Sequence, residues 1–291
     1  MKAAVRKSAI PGSKSFLLKE LIAPYFDRSW HFHQEYQIFL VQEGRGTRFV
    51  GDSIRAFWEG DLVFIGPNLP HLWRSDNEYL HKNSLLQTRG IVIYFEEDFL
   101  GGCISKKEEF ELFYHLFARA KQGLEVHGNT KSVVSHMMEE LLHLTGVDSI
   151  IQLLRIMNTL ALSDECIEIA HVGYINPSTE ADTDRIGRVY EHIMLHFKNK
   201  ISLGEVAAIA NLSQSSFNRY FKSRANKSFS DFLSEVRIGH ACKLLHEQDL
   251  TVSQVCYESG FNTLSNFNKQ FKDLTGITPL QYKKEHQKHQ L

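Results

Sequence analysis

Two sets of residues in this chain have the types and spacing to do chemistry. In the first, His31 and His33 alternate, so on an extended strand both imidazoles face the same way. Trp58, His71 and Trp73 follow within a short distance. Aromatic faces beside polar groups suit a pocket for a partly apolar small molecule, a carbohydrate among the candidates. Arg48, Arg55 and Arg74 offer charge for an anionic group, although single arginines on strands usually face water. The second set comes much later: Asn218, Arg219 and Lys222, then Asn268, Lys269 and Lys272. Each trio lies opposite a phenylalanine pair at helical spacing, Phe217/Phe221 or Phe267/Phe271. Burying the phenylalanines therefore turns amide and cationic groups outward. Asn and Arg can each bond a base edge through two atoms, to adenine and to guanine. No Ser/His/Asp set, phosphate loop or paired-cysteine motif suggests catalysis.

The elements that position the second set are legible. Thr251 to Tyr282, TVSQVCYESGFNTLSNFNKQFKDLTGITPLQY, predicts a short helix carrying Val252, Val255 and Cys256, a Gly260-Phe261 turn and a second helix. Gly276 and Pro279 supply stop signals. About fifty residues earlier, from Ile201, the same pattern occurs, with Asn211-Leu212 in place of Gly260-Phe261 and one residue fewer in the turn. Between the copies, FSDFLSEVRIGHACKLLHEQ predicts one continuous helix. Two helices about a tight turn, with a basic outer face, form a helix-turn-helix.

The first set sits in a region of different periodicity. Strands are predicted at 35–42, 46–50, 54–58, 61–65, 72–74 and 90–95, and such close, even spacing indicates an antiparallel barrel or sandwich. From 106 to 169 the period becomes helical, with three amphipathic segments. Residues 173–183 are polar and aperiodic, as a linker would be. At 291 residues the chain is long enough for two cores. Its net charge of −1 hides a division: from Asp184 onward 15 Lys/Arg face 10 Asp/Glu, whereas residues 1–183 carry 18 against 24. A basic C-terminal part is drawn to phosphates. Four scattered cysteines, no membrane-length apolar run and no secretory leader point to a reducing cytoplasm.

The last hundred residues resemble the DNA-binding domain of AraC/XylS-family transcription regulators. Arg237, Ala241, Leu244 and Leu245 match that family's linker helix. Gly260, Phe267, Phe271-Lys272, Gly276, Thr278-Pro279 and Tyr282 match its closing signature, while Asn226, Lys283 and Cys256 depart from it modestly. The H-F-H-Q-E-Y-Q stretch, Gly44 and GDLVFIGPNLPH resemble the cupin barrel that many such regulators carry as a sensor. The fold class implied is α+β multidomain. Residues 1–172 form a cupin-like sensing and dimerisation part (barrel 16–97, helices 106–169), 173–183 a linker, and 184–291 a double helix-turn-helix domain.

The resemblance implies base contacts from Ser215, Asn218 and Arg219 in the first unit and from Thr263, Ser265, Asn268 and Lys269 in the second. Lys222 and Lys272 are assigned to phosphates. It implies effector contacts from His31, His33, Gln37, Trp58, His71 and Trp73. Cupin enzymes hold a metal through H-x-H-x-x-x-E and a later His. Here Gln37 replaces the carboxylate and brings no charge, so no metal and no cofactor are expected. The function implied is sequence-specific regulation of transcription, by activation or repression. The expected partners are double-stranded promoter DNA, a small-molecule effector, a second copy of the chain through the second and third middle helices, and RNA polymerase, with no membrane. A metal-dependent cupin enzyme with an accessory DNA-binding tail is the main alternative. A regulator whose N-terminal half only dimerises is another.

Overall fold

The computed structural model describes residues 10–27, 29–100, 107–172, 174, 180–247 and 250–287. The chain divides into two compact units, Met1–Ser53 with Phe57–Asn176, and Pro177–Leu291 with Ile54–Ala56. Among the described residues no helix is long and apolar enough to cross a membrane.

Among the described residues the N-terminal part contains nine strands and three α-helices. The strands are β1 (Phe16–Ala23), β2 (Tyr36–Glu43), β3 (Gly46–Val50), β4 (Ser53–Phe57), β5 (Leu62–Ile65), β6 (His71–Ser75), β7 (Thr88–Phe95), β8 (Leu124–Val126) and β9 (Cys166–Glu168). A six-stranded sheet runs β1-β7-β2-β5-β8-β9, and a three-stranded sheet runs β4-β3-β6. The predicted barrel is thus two sheets packed on a common core, without continuous hydrogen-bonded closure among the described residues.

The run from Tyr36 to Val41 is buried without a break because this strand is covered on both faces. Ile38, Leu40, Phe64, Ile91 and Ile93 project from one face of the large sheet. There they meet Leu116 and Phe117 of α1 (Glu111–Ala120), Val134 and Met138 of α2 (Gly128–Leu141), and Ile156 and Met157 of α3 (Gly146–Ala161). The alternate residues Phe39, Val41, Val63, Ile65 and Val92 meet Val50, Phe57 and Trp73 of the small sheet. Each such side chain contributes about 1.5–3 kcal/mol by leaving water. Most of the apolar surface of the three helices is therefore spent on the sheet. Leu112, Val147, Ile151 and Leu162 remain exposed.

The second unit is helical: α4 (Glu180–His196), α5 (Leu203–Ile209), α6 (Gln214–Ala225), α7 (Phe229–Glu247), α8 (Val252–Glu258), α9 (Leu264–Thr275) and α10 (Pro279–Gln287). Most of the predicted linker lies outside the described residues, and α4 already begins at Glu180 inside it. Both short helices start with a capping box, Ser202 with Glu205 and Thr251 with Gln254, which satisfies otherwise orphaned amides. The helices that follow end on a left-handed residue, Asn226 in one copy and Gly276 in the other.

Along α7 the buried side chains Phe232, Leu233, Val236, Ile238, Ala241, Cys242, Leu244 and Leu245 go round the helix, as expected for a central rod packed on both sides. Toward one end Phe232 meets Phe221 and stacks on Tyr190, with ring centroids 4.7 Å apart in the second pair. Toward the other, Ile238, Cys242 and Leu245 pack with Val255, Cys256, Phe267 and Phe271.

Cys166, Cys242 and Cys256 are free and buried, and burial pushes the Cys242 thiol up to about 12. Iodoacetamide at pH 8 should leave these three unmodified in the folded chain and label them all in denaturant. Mass spectrometry showing labelling without denaturant would contradict the packing, because only a thiolate that meets the reagent reacts.

Candidate functional site

Within the first unit, strand alternation and the connection between β1 and β2 converge on one cavity of about 550 Å³. His31, His33, Gln37, His71 and Trp73 line it, together with Lys19, Tyr25, Phe26, Asp27 and Tyr94. His71 opens β6, and His31 pairs with it as an isolated antiparallel bridge, which draws the two rings to 4.6 Å. His33 lies 4.9 Å from His71 by ring centroid and packs edge-on against Tyr94.

Each Nδ1 meets a backbone carbonyl: His31 with Ser29 at 2.7 Å, His33 with Glu35 at 2.9 Å and His71 with Leu69 at 2.7 Å. A carbonyl only accepts, so each Nδ1 must carry a proton. In the neutral ring the lone pair is then on Nε2. Burial holds the His71 imidazole well below its usual range, and His31 and His33 push it the same way. Burial also lowers His33, while Gln37 and Glu35 oppose that shift.

Trp58 does not join the cavity. Phe57, its neighbour at the end of β4, points into the core, so alternation directs Trp58 away. Trp73 is largely a core residue, and its Nε1 donates to Asp61 Oδ2 at 2.9 Å. The expectation that strand arginines face water fails for Arg48 and Arg74, both buried, and holds for Arg55. Arg48 donates to Asp61 at 2.5 Å and to Glu125 at 2.6 Å, and so is occupied inside the protein. Sequence reasoning missed Tyr94 and Glu35. The period of two along β7 places Tyr94 with Val92 and was available as a signal. The burial of a glutamate was not.

In the second unit, Phe217, Phe221, Phe267 and Phe271 are fully buried. Ser215, Asn218, Arg219, Lys222, Thr263, Ser265, Asn268, Lys269 and Lys272 are all exposed. One of these has a prior duty: Thr263 is the N-cap of α9, its hydroxyl accepting from Asn266 N, just as Ser213 caps α6 by accepting from Ser216 N. Arg237 of α7 ties the second unit together. Its guanidinium donates to the carbonyls of Phe197 at 2.8 Å and Asn199 at 2.9 Å and sits over the Phe261 ring. A pair of outward basic helices held by one rod is suited to the major groove. The small-molecule cavity belongs to the other unit.

These features define a DNA-binding regulator with a ligand-binding domain. The AraC-like ligand binding domain family matches residues 14–144, and a helix-turn-helix domain family matches residues 206–285. The chain is 25% identical over 258 residues to an uncharacterized HTH-type transcriptional regulator of Bacillus subtilis, covering 87% of this chain and 85% of that protein. It is 21% identical to the Msm operon regulatory protein of Streptococcus mutans, over 89% of each. A 206-residue match at 26% identity links it to an uncharacterized HTH-type transcriptional regulator of Staphylococcus aureus, covering 68% of this chain but only 26% of that longer protein. The chain thus pairs an AraC-like ligand binding domain with a helix-turn-helix domain, and the relatives it resembles are HTH-type transcriptional regulators.

Proposed function

We propose that this regulator acts in the cytoplasm as a homodimer on promoter DNA, under the control of a small molecule seated among His31, His33, Gln37, His71 and Trp73. The observation that carries the DNA half is the repeated partition of side chains on α6 and α9, phenylalanines inward and amides and cations outward. Asn218 and Arg219, and Asn268 and Lys269, are assigned to base edges, with Ser215 and Ser265 beside them. Lys222 and Lys272 are assigned to phosphates. Thr263 contributes by capping α9, which leaves its hydroxyl less free for DNA. Residues 184–291, extended back to the start of α4, form the DNA-binding domain, and residues 1–172 the sensor.

Two helix-turn-helix units on one rod suit consecutive major grooves, about one turn (~34 Å) apart. A dimer would then read four short boxes. Exposed Leu112, Val147, Ile151 and Leu162 on and beside the middle helices support pairing there. The cavity has polar groups on aromatic walls, and its lining includes the exposed Lys19 and Asp27, which supports a polar organic effector such as a carbohydrate. Effector binding would favour one arrangement of the DNA-binding domains over another, and with it activation or repression through RNA polymerase.

Mapping of bound genomic DNA followed by mobility shifts on the sites found tests the assignment. Arg219→Ala should cost ~1–3 kcal/mol and relax preference at one base position, whereas Lys272→Ala should weaken all sequences about equally and flatten the salt dependence. Equal losses on cognate and random DNA for Arg219→Ala would refute base reading by α6.

A further inference from the structure

The helix that leads the second unit closes on two histidines one turn apart. On α4, His192 and His196 share a face at i and i+4, the spacing with which two histidines on a helix grip one metal ion. Their rings already lie together, with centroids 4.6 Å apart. Across from them stands Glu205 of α5, whose Oε1 is 2.8 Å from His192 Nε2. The capping box holds that carboxylate in place, because its Oε2 accepts from Ser202 N at the start of α5. One oxygen is therefore committed to the backbone, and the other is turned to α4.

The 2.8 Å contact is not a hydrogen bond. His192 Nε2 is buried and has no hydrogen-bond partner, so Oε1 stands beside the nitrogen and not in line with it. An ion pair alone would gain by bringing the two into line. Neighbouring ligands of one ion do stand side by side: with bonds of about 2.0–2.2 Å to the metal, adjacent donor atoms end up roughly 3 Å apart. His196 is exposed and can turn its ring toward the same point. Among the described residues the cavity histidines are the three donors already within 4.8 Å of one another. The set on α4 and α5 has two donors in place and needs the turn of one surface side chain to complete it. Two imidazoles and a carboxylate suit zinc, with water in the fourth position, and suit magnesium or calcium poorly, since those take oxygen.

We propose that His192, His196 and Glu205 bind a zinc ion that clasps α4 to α5, the first helix of the first helix-turn-helix. The site shares no residue with the sensor cavity or with the outward faces of α6 and α9. It therefore rests on neither the effector reading nor the DNA reading, and its failure would leave both untouched.

The test is carbethoxylation by diethyl pyrocarbonate, mapped residue by residue by mass spectrometry. It uses the full chain, freed of metal by chelator and then given Zn(II). His196 should label readily without zinc and lose that labelling at saturating zinc, while exposed His115 labels equally in both. Reading the result at named residues keeps any ion held by His31, His33 and His71 out of it. Glu205→Gln removes the charge but retains the capping box, because Gln serves equally at that position, so the variant keeps its fold. Zinc that protects the wild-type chain should leave His196 reactive in Glu205→Gln and in His192→Ala. Unchanged labelling of His196 at saturating zinc overturns the proposal and leaves an ordinary ion pair between His192 and Glu205. Protection that survives His192→Ala overturns it too. Protection that survives Glu205→Gln removes the clasp, since the ion would then sit on α4 alone.

Discussion

Replacing Arg48 by Met should destabilise the N-terminal unit by about 3–5 kcal/mol, the usual cost of removing one partner from a buried charge group. At about 2–4 °C per kcal/mol for a unit of this size, the thermal midpoint should fall by roughly 10 °C. The guanidinium is 1% exposed and is shared by two carboxylates, Asp61 on one side and Glu125 on the other. Burial pushes the Asp61 carboxyl up, and Arg48 opposes that shift most strongly. Met fills similar space but leaves Asp61 charged in the interior, where the Trp73 indole still donates to it. Asp61→Asn added to Arg48→Met should therefore recover part of the loss, because an amide can still accept from Trp73 and needs no counter-ion. Calorimetry of the two variants decides it. A midpoint shift below about 2 °C for Arg48→Met would mean that water, and not the guanidinium, neutralises the pair.

The same residue shows where reading a sequence stops. Arg48 alternates correctly along β3, yet its strand neighbours do not reveal that Asp61, thirteen residues on, and Glu125, seventy-seven on, will close around it. Long-range pairing of charges leaves no local periodicity. Elements with a strong local signal were legible: the buried run in β2, the three middle helices, and the fifty-residue repeat of phenylalanine pairs. The three-residue strands β8 and β9 were not, because they are too short to establish an alternation and are fixed by pairing with β5 and with each other. In the cavity, the alternation of His31 and His33 could be read from spacing. Trp58 was misplaced for want of knowing that Phe57 takes the inward position. Glu35 was passed over because a glutamate beside a histidine on a strand looks like an ordinary surface residue until its burial is seen.

Gly260→Ala should destabilise the second unit by about 2–5 kcal/mol and weaken operator binding with it, although Gly260 lies in the turn between α8 and α9 and not on a recognition helix. Two costs combine. Its φ of +83° lies in the left-handed region, where a Cβ costs roughly 1–2 kcal/mol. That Cβ would also stand 2.8 Å from Lys198 Cα and from the carbonyl oxygens of Phe197 and Lys198, backbone atoms that cannot swing aside. Overpacking of this kind adds roughly 1–3 kcal/mol. The segment it would strike is the one Arg237 holds by its carbonyls, so any shift propagates to the rod that sets the two recognition helices. The first copy of the repeat provides the control. Asn211 occupies the equivalent turn at φ 54°, and it already carries a Cβ there. The left-handed cost of a Cβ is therefore already met at Asn211, and Asn211→Ala should lose only the local bonding of its amide, about 0.5–1.5 kcal/mol. Denaturant melts of the two variants, with mobility shifts on one operator, separate the contributions. Equal losses at the two turns would show that close approach to residues 197–198 matters little and that the turns differ only in sequence.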